Sequence, residues 1–274
     1  MPVLYVVATP IGNLEDISLR ALRILRTVKL IAAEDTRKTR RLLNAYDIKT
    51  PMTSYHEHNK WSKLEYLLPF LSGTGDIALV SDAGTPGISD PGHELIVAAA
   101  QRGIPVVAIP GPSAVITALA ISTLPTDRFA YFGFLPRSSN DRQLALKTLG
   151  EVNETFIILE APHRLRATLQ DMISTLGDRR LVICRELTKI HEEVFRGNIT
   201  EALEHFKEPR GEFTLVIESR QNVSTLPAPP ENIEQRLREL RQAGLTAKEA
   251  IPRISKETGI TRRELYRAWL KLET

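Results

Sequence analysis

Glu34-Asp35-Thr36-Arg37-Lys38-Thr39-Arg40-Arg41 places two carboxylates immediately before four cations. A carboxylate there can act as a base or orient a substrate, and Arg37, Lys38 and Arg41 can hold phosphates from one helical turn. The plainer alternative is a helix N-cap followed by a solvated face. A second basic pair, Arg137 and Arg142 after the apolar run ending at Phe134, favours the functional reading. Tyr55-His56-Glu57-His58-Asn59 sets two imidazoles around a carboxylate. In an extended segment both histidines point to one side, as two metal ligands would. No third ligand group accompanies them, so no metal is expected, and a general base or a hydrogen bond to substrate is the preferred role. Arg185-Glu186-Leu187-Thr188-Lys189-Ile190-His191-Glu192 mixes both charges, and structural ion pairing fits it as well as catalysis.

The richest stretch carries no cation. Ser81-Asp82-Ala83-Gly84-Thr85-Pro86-Gly87-Ile88-Ser89-Asp90-Pro91-Gly92 follows an apolar run and precedes a helical one. Its glycines and prolines fix the backbone, while carboxylates and hydroxyls decorate it. Thr9-Pro10-Ile11-Gly12-Asn13 and Pro110-Gly111-Pro112-Ser113 also leave apolar runs and also lack Lys and Arg. Backbone amides and small side chains can grip a nucleoside-like or amino-acid-like ligand, whereas a polyphosphate would call for cations. Rigid turns alone are the alternative, but three such loops with little bulk favour a pocket. No G-x-G-x-x-G stands between a strand and a helix, and no Gly-Lys-Ser/Thr phosphate loop occurs, which argues against an NAD enzyme or a kinase.

Those loops need a sheet to bring them together. Strands are expected at 4–8, 29–33, 76–80 and 105–109, with helices at 18–26, 36–43, 60–71, 93–100 and 114–120. Alternation of this kind describes an α/β fold with a parallel sheet, whose ligands sit beyond the carboxyl ends of the strands. A second set of strands is expected at 129–134, 155–159, 181–184, 192–197 and 213–217, with a helix at 163–176, and its last members suit antiparallel pairing. The expected domains are therefore residues 1–115 and 116–222, both α/β. Residues 219–230, ending in Pro227-Ala228-Pro229-Pro230, read as a stiff linker. Beyond it a small helical domain at 231–274 has helices at 231–242, 247–258 and 261–270. Residues 248–269 have helix-turn-helix spacing around Gly259-Ile260-Thr261, and Arg262, Arg263, Arg267 and Lys271 follow. Nucleic-acid binding and docking fit that basic face equally.

Composition sets outer limits. With 274 residues, 42% of them hydrophobic, the chain can bury sizeable cores, and its formal charge of +3 merely permits an acidic partner. The single cysteine, Cys184, excludes an internal disulfide and sits in an apolar run, as a buried structural thiol would. No apolar run reaches the length of a membrane span, so a cytoplasmic location without membrane contact is expected.

Taken in order, Ala8-Thr9-Pro10-Ile11-Gly12-Asn13-Leu14, Glu34-Asp35-Thr36-Arg37, Tyr55-His56-Glu57-His58-Asn59, the 81–92 loop, Pro110-Gly111-Pro112-Ser113-Ala114, Gly133-Phe134-Leu135-Pro136-Arg137, Pro162-His163-Arg164 and Arg185-Glu186-Leu187-Thr188-Lys189 closely resemble the tetrapyrrole methylase superfamily, and within it the ribosomal-RNA ribose methylases. The resemblance spans about residues 3–220. It implies a cleft between two α/β domains that holds S-adenosyl-L-methionine, a homodimer, and 2′-O-methylation of a cytidine in the decoding region of 16S rRNA in the small ribosomal subunit. Carried onto this sequence, the cofactor residues are Pro10, Ile11, Gly12, Asp82, Ala83, Gly84, Thr85, Ile88, Ser113, Ala114, Phe132, Leu159, Glu160, Ala161, Gly211, Glu212, Phe213 and Thr214. The candidate bases are Glu34, Asp35, His56 and Glu57, with bulk water as the alternative acceptor. Arg37, Lys38, Arg41, Arg128 and Arg137 are the expected RNA contacts. Ser138 stands where the pattern commonly has a lysine, and Leu159 where it commonly has an aromatic. The alternatives are a methylase of the same fold acting on a tetrapyrrole or other small molecule, which the basic 37–41 segment disfavours, and a non-catalytic RNA-binding protein, which the three small-residue loops disfavour.

Overall fold

The computed structural model describes residues 2–219, 233–258 and 262–271. Met1–Ser219 and Arg220–Thr274 are separate compact units. In the first unit, β1 (Leu4–Val7), β2 (Leu30–Ala33), β3 (Met52–Ser54), β4 (Ile77–Val80) and β5 (Val106–Ile109) form a sheet in the order β3-β2-β4-β1-β5. Every pairing in it is parallel. Helices cover both faces, so β2 and β4 are apolar throughout and fully buried. Ile31 and Ala33 pack towards α1 (Leu19–Thr27) and α2 (Thr36–Ala45), joining Leu22, Leu25, Leu42 and Leu43. Leu30 and Ala32 point the other way, towards Leu67 and Leu71 of α3 (Lys60–Gly73) and Leu95 and Ala99 of α4 (His93–Gln101).

The second sheet comprises β6 (Phe129–Phe134), β7 (Thr155–Glu160), β8 (Arg180–Arg185), β9 (Glu193–Asn198) and β10 (Phe213–Ile217), in the order β6-β7-β10-β8-β9. Only β6 and β7 run parallel; the other neighbours are antiparallel. One face packs on α6 (Ser139–Gly150), α7 (Pro162–Leu176) and α8 (Ile199–His205), through Leu146, Leu149, Leu165, Leu169, Ile199 and Ala202. The opposite face carries Ile157, Val182, Cys184 and Val216, and against these pack Ala118 and Leu119 of α5 (Ala114–Ile121). Thus α5 follows the last strand of the first sheet but is buried on the second. The expected boundary between residues 115 and 116 falls inside this helix, and the two sheets share one compact unit. Cys184 is a free, buried thiol, and burial pushes its pKa up to about 11.

In the second unit, α9 (Ile233–Gln242), α10 (Ala247–Thr258) and α11 (Arg262–Lys271) enclose Leu237, Ala250, Ile251, Ile254, Leu265 and Trp269. Gly244 supplies the left-handed residue that ends α9, at φ 85°. Glu249 then caps α10 by accepting from the Thr246 N–H and hydroxyl at 2.9 and 2.7 Å. The 259–261 turn, the side chains of Arg262, Arg263, Arg267 and Lys271, and residues 220–230 of the expected linker lie outside the described residues.

Candidate active site

At the carboxyl ends of β1 and β4 the two loops are joined by backbone. The Thr9 N–H donates to the Gly84 carbonyl at 2.8 Å, and the Gly84 N–H returns to Thr9 at 3.0 Å. Gly84 makes this approach at φ +77°, a region L side chains rarely adopt. After β5, the Ser113 hydroxyl caps α5 by accepting the Ile116 N–H at 3.4 Å. These loops form one wall of a cavity of about 300 Å³, and the ends of β6, β7 and β10 form the other.

Of the expected cofactor residues, Ile11, Ala83, Gly84, Thr85, Ile88, Ser113 and Ala114 line this cavity from the first sheet. Leu159, Glu160, Ala161, Glu212, Phe213 and Thr214 line it from the second. Pro10, Gly12, Asp82, Phe132 and Gly211 are absent from the lining. Pro10 is buried. Gly12 lies against Thr188 and Lys189, and Gly211 against Glu186, so both serve the contact between loops. Phe132 is exposed and meets Phe156 edge to face at 6.3 Å. The lining also includes Ser89, Asp90, Val115, Tyr131, Phe134 and Pro162, none of which was among the expected cofactor residues. Glu160 is held there with its carboxylate accepting from the Thr168 hydroxyl at 2.6 Å and the Ala161 N–H at 2.8 Å, and its ion pair with Arg164 spans 3.3 Å.

A second cavity, of about 440 Å³, adjoins the first and is lined by Glu34, His56, Glu57, His58, Ser89, Asp90 and Pro91. Ser89 and Asp90 line both cavities. Three expected base candidates, Glu34, His56 and Glu57, are therefore brought together. Asp35 is not: its carboxylate caps α2 through the Arg37 N–H at 2.8 Å and forks with the Arg37 guanidinium, which holds its pKa down at about 2. Glu34 accepts the Asp82 N–H at 3.0 Å, and burial raises its pKa. His56 and His58 sit in a turn closed by the Asn59 N–H on the His56 carbonyl at 3.0 Å, rather than in an extended segment. The buried His56 Nδ1 has no hydrogen-bond partner, and Glu57 pairs with Lys60 at 2.7 Å. Among the described residues no three His, Cys, Asp or Glu side chains are grouped to hold a metal ion.

Asp90 is the titratable residue that sequence reasoning passed over. Burial, followed by the charges of Glu34 and Asp82, pushes its pKa up to about 7. Its neighbour Ser89 adopts φ 63° and hydrogen-bonds to the Tyr131 hydroxyl at 2.6 Å. Such a left-handed conformation is uncommon outside glycine and is held by its surroundings.

The cations divide by role. Arg37, Arg41, Arg128 and Arg137 are exposed, with Arg37 also tied to Asp35. Lys38 reaches Asp82 at 2.9 Å, and the other Asp82 oxygen accepts the Asp35 N–H at 3.0 Å. Arg142 corrects the expectation that it pairs functionally with Arg137: it is buried, with its Nε donating to Asp171 at 2.7 Å. The 185–192 cluster likewise holds structure together. Lys189 bridges Glu186 and Glu212 at 2.9 and 3.0 Å, and the Thr188 hydroxyl accepts the Asn13 N–H from the first sheet's loop at 3.0 Å.

Residues 3–203 match the family model described as Tetrapyrrole (Corrin/Porphyrin) Methylases. The chain belongs to the tetrapyrrole methylase family. Family members similar along nearly the whole length include a protein of Synechocystis sp. named "Ribosomal RNA small subunit methyltransferase I", 48% identical over 100% of this chain and 99% of its own. A protein of the same name from Halalkalibacterium halodurans is 46% identical over 96% of this chain and 93% of its own. The family fold is also found in the uroporphyrin-III C-methyltransferase of Thermus thermophilus complexed with S-adenyl homocysteine. That structure has a TM-score of 0.58 at 17% identity, covering 81% of this chain and 100% of that one. No helix among the described residues of this family member is long and apolar enough to cross a membrane.

Proposed function

We propose that this family member transfers a methyl group from S-adenosyl-L-methionine to the ribose 2′-hydroxyl of a cytidine in the decoding region of 16S rRNA. The chain is an S-adenosylmethionine-dependent rRNA methyltransferase of the tetrapyrrole methylase family, and its near full-length relatives are named as ribosomal RNA small subunit methyltransferases. The observation that carries the finer reading is the pair of adjoining cavities that share Ser89 and Asp90. One is walled largely by small and apolar residues and suits the donor; the other has carboxylates, imidazoles and nearby basic α2 for a polyanionic acceptor.

The first cavity fits the donor on its own chemistry. Gly84 keeps the backbone close without a side chain, and Ile11, Ile88 and Leu159 offer apolar surface to an adenine ring. Ala114 and Val115 open α5, where backbone N–H groups lack helical partners and favour a carboxylate. When bound, the donor supplies a methyl group already activated on a sulfonium sulfur. The protein's work is to align the acceptor, exclude water and remove a proton from a weakly acidic hydroxyl. The two sheets supply alignment by gripping the donor from both sides. Glu34, His56 and Glu57 stand on the acceptor side; Arg41, Arg128 and Arg137 are exposed to meet phosphates, as is Arg37 beside its ion pair with Asp35. The proposed assembly is a homodimer, which light scattering would test, and a ribosomal substrate entails a cytoplasmic reaction.

The deciding assay offers methyl-labelled donor to small ribosomal subunits, naked 16S rRNA and a tetrapyrrole precursor, then identifies the labelled nucleoside by mass spectrometry. Label on a cytidine ribose is expected. Label on a base carbon, or on the tetrapyrrole alone, would overturn the reading.

A further inference from the structure

We propose that Asp90 is the catalytic residue that accepts the proton of the attacking hydroxyl. This assignment rests on the methyl-transfer reading above. Methyl transfer puts the acceptor oxygen, the methyl carbon and the sulfur in line, so the base must stand where donor and acceptor spaces meet. Ser89 and Asp90 alone line both cavities, and of the two only Asp90 carries a group that titrates in the neutral range. Glu34, His56 and Glu57 line the acceptor cavity only; Glu160 and Glu212 line the donor cavity only.

Three of the other candidates are also committed elsewhere: Glu34 accepts the Asp82 N–H, Glu57 is paired with Lys60, and Asp35 is locked to Arg37. His56, whose buried Nδ1 has no hydrogen-bond partner, is set aside by position alone, since it lines the acceptor cavity and not the donor cavity. The groups around Asp90 come from every neighbouring element: Glu34 at the end of β2, Asp82 and Ser81 after β4, Lys38 on α2, Tyr131 on β6, and His56, Glu57 and His58 in the facing turn. Burial and the two carboxylates hold the proton on more strongly than the Ser81 hydroxyl and Lys38 release it, leaving a pKa of about 7. A base of that strength is matched to neutral pH. In the step, the oxygen–methyl bond forms as the methyl–sulfur bond breaks. Sulfur keeps the electron pair and becomes a neutral thioether, and the hydroxyl proton passes to an Asp90 carboxylate oxygen.

The test combines turnover with two readouts that need no reaction. Asp90→Asn should lower the single-turnover rate on 16S rRNA at least about 100-fold, the scale of general-base catalysis. Its calorimetric affinity for S-adenosylhomocysteine should stay within about threefold, and Asp90→Glu should recover part of the rate. The wild-type rate should rise with pH through about 7, and that limb should vanish in Asp90→Asn. In the unliganded wild type, carbon-13 NMR should follow the Asp90 carboxyl titrating near 7. At that pH the donor, with its sulfonium charge, should release protons on binding, measured in buffers of different ionisation enthalpy, while S-adenosylhomocysteine, zwitterionic with no net charge, should release fewer. A rate loss under tenfold, a matching loss of S-adenosylhomocysteine affinity, or a carboxyl titrating near 4 would overturn the assignment. A wild-type enzyme that bound S-adenosylhomocysteine but methylated no rRNA would instead overturn the proposed acceptor.

Discussion

The Ser89 hydroxyl and the Tyr131 hydroxyl lie 2.6 Å apart, with Ser89 in the loop of the first sheet and Tyr131 on a strand of the second. Their hydrogen bond ties the two walls of the donor cavity together at the point where the acceptor cavity begins. It also helps to hold Ser89 in its left-handed conformation, and with it the direction of the next residue, Asp90. Tyr131→Phe removes this bond and little volume. A net hydrogen bond contributes about 1 kcal/mol, so a fall in Tm of a few degrees is expected. S-adenosylhomocysteine should bind several-fold more weakly by calorimetry. Unchanged affinity would mean that other contacts alone set the position of this wall.

Arg142 is predicted to matter for folding and not for RNA. Its guanidinium and the Asp171 carboxylate are 6% and 12% exposed, and Gln143 adds a donor to the same carboxylate at 2.8 Å. Burial pushes the Asp171 pKa up, but Gln143, Arg142 and Ser139 more than reverse this and hold it below the usual range. A depressed folded pKa stabilises above the unfolded value and is lost as pH falls through the folded one. Arg142→Ala leaves the charge buried with fewer partners and should destabilise by about 3 kcal/mol at neutral pH. Denaturation at pH 7 and pH 3 should show the penalty shrinking in acid, and the donor affinity of the folded fraction should be unchanged.

Arg37 and Arg41 should separate acceptor binding from donor binding. Both are exposed on α2, and Arg37 is 88% exposed while also held by Asp35. Arg37→Ala and Arg41→Ala should leave S-adenosylhomocysteine affinity intact and weaken rRNA binding. Each lost phosphate contact should reduce the slope of log affinity against log salt by roughly 0.7–0.9. A salt titration of the two variants reads this directly; a parallel loss of S-adenosylhomocysteine affinity would place these arginines with the donor.

What could be read from the sequence follows from how local each signal is. The central strands of the first sheet are continuous apolar runs because both of their faces are covered, and such runs identify themselves. In contrast, β3 is a half-buried edge of three residues and α8 a helix of seven, too short for a periodic pattern. The start of α6 is Ser139-Asn140-Asp141, a run that reads as a turn until Leu146 and Leu149 are seen packing on β7. The donor loops were legible because glycine and proline at strand ends constrain backbone locally. Asp90 was visible as a residue but not as a base: its pKa depends on burial and on Glu34 and Asp82, and Glu34 reaches it only across the sheet. Arg142 was misread for the same reason, since the partner that makes it structural lies one helix away at Asp171.

The raised pKa of Asp90 also predicts a cost to the fold. In the folded chain it holds its proton to about pH 7, whereas its unperturbed value is 3.8. Between those values the folded state binds the proton and the unfolded state has released it, so stability must fall as pH rises through that window. Asparagine cannot ionise and carries no such penalty. The wild type and Asp90→Asn should therefore have similar Tm near pH 4, and the variant should become progressively the more stable of the two up to pH 8. Calorimetric scans across that range check the sign. A variant that was less stable at pH 8 would mean that the carboxylate is better satisfied in the folded protein than its half-buried, acid-flanked position implies. A more stable but slower variant is what a strained catalytic carboxylate predicts, because the neighbours that make Asp90 a stronger base are the same ones that oppose its charge.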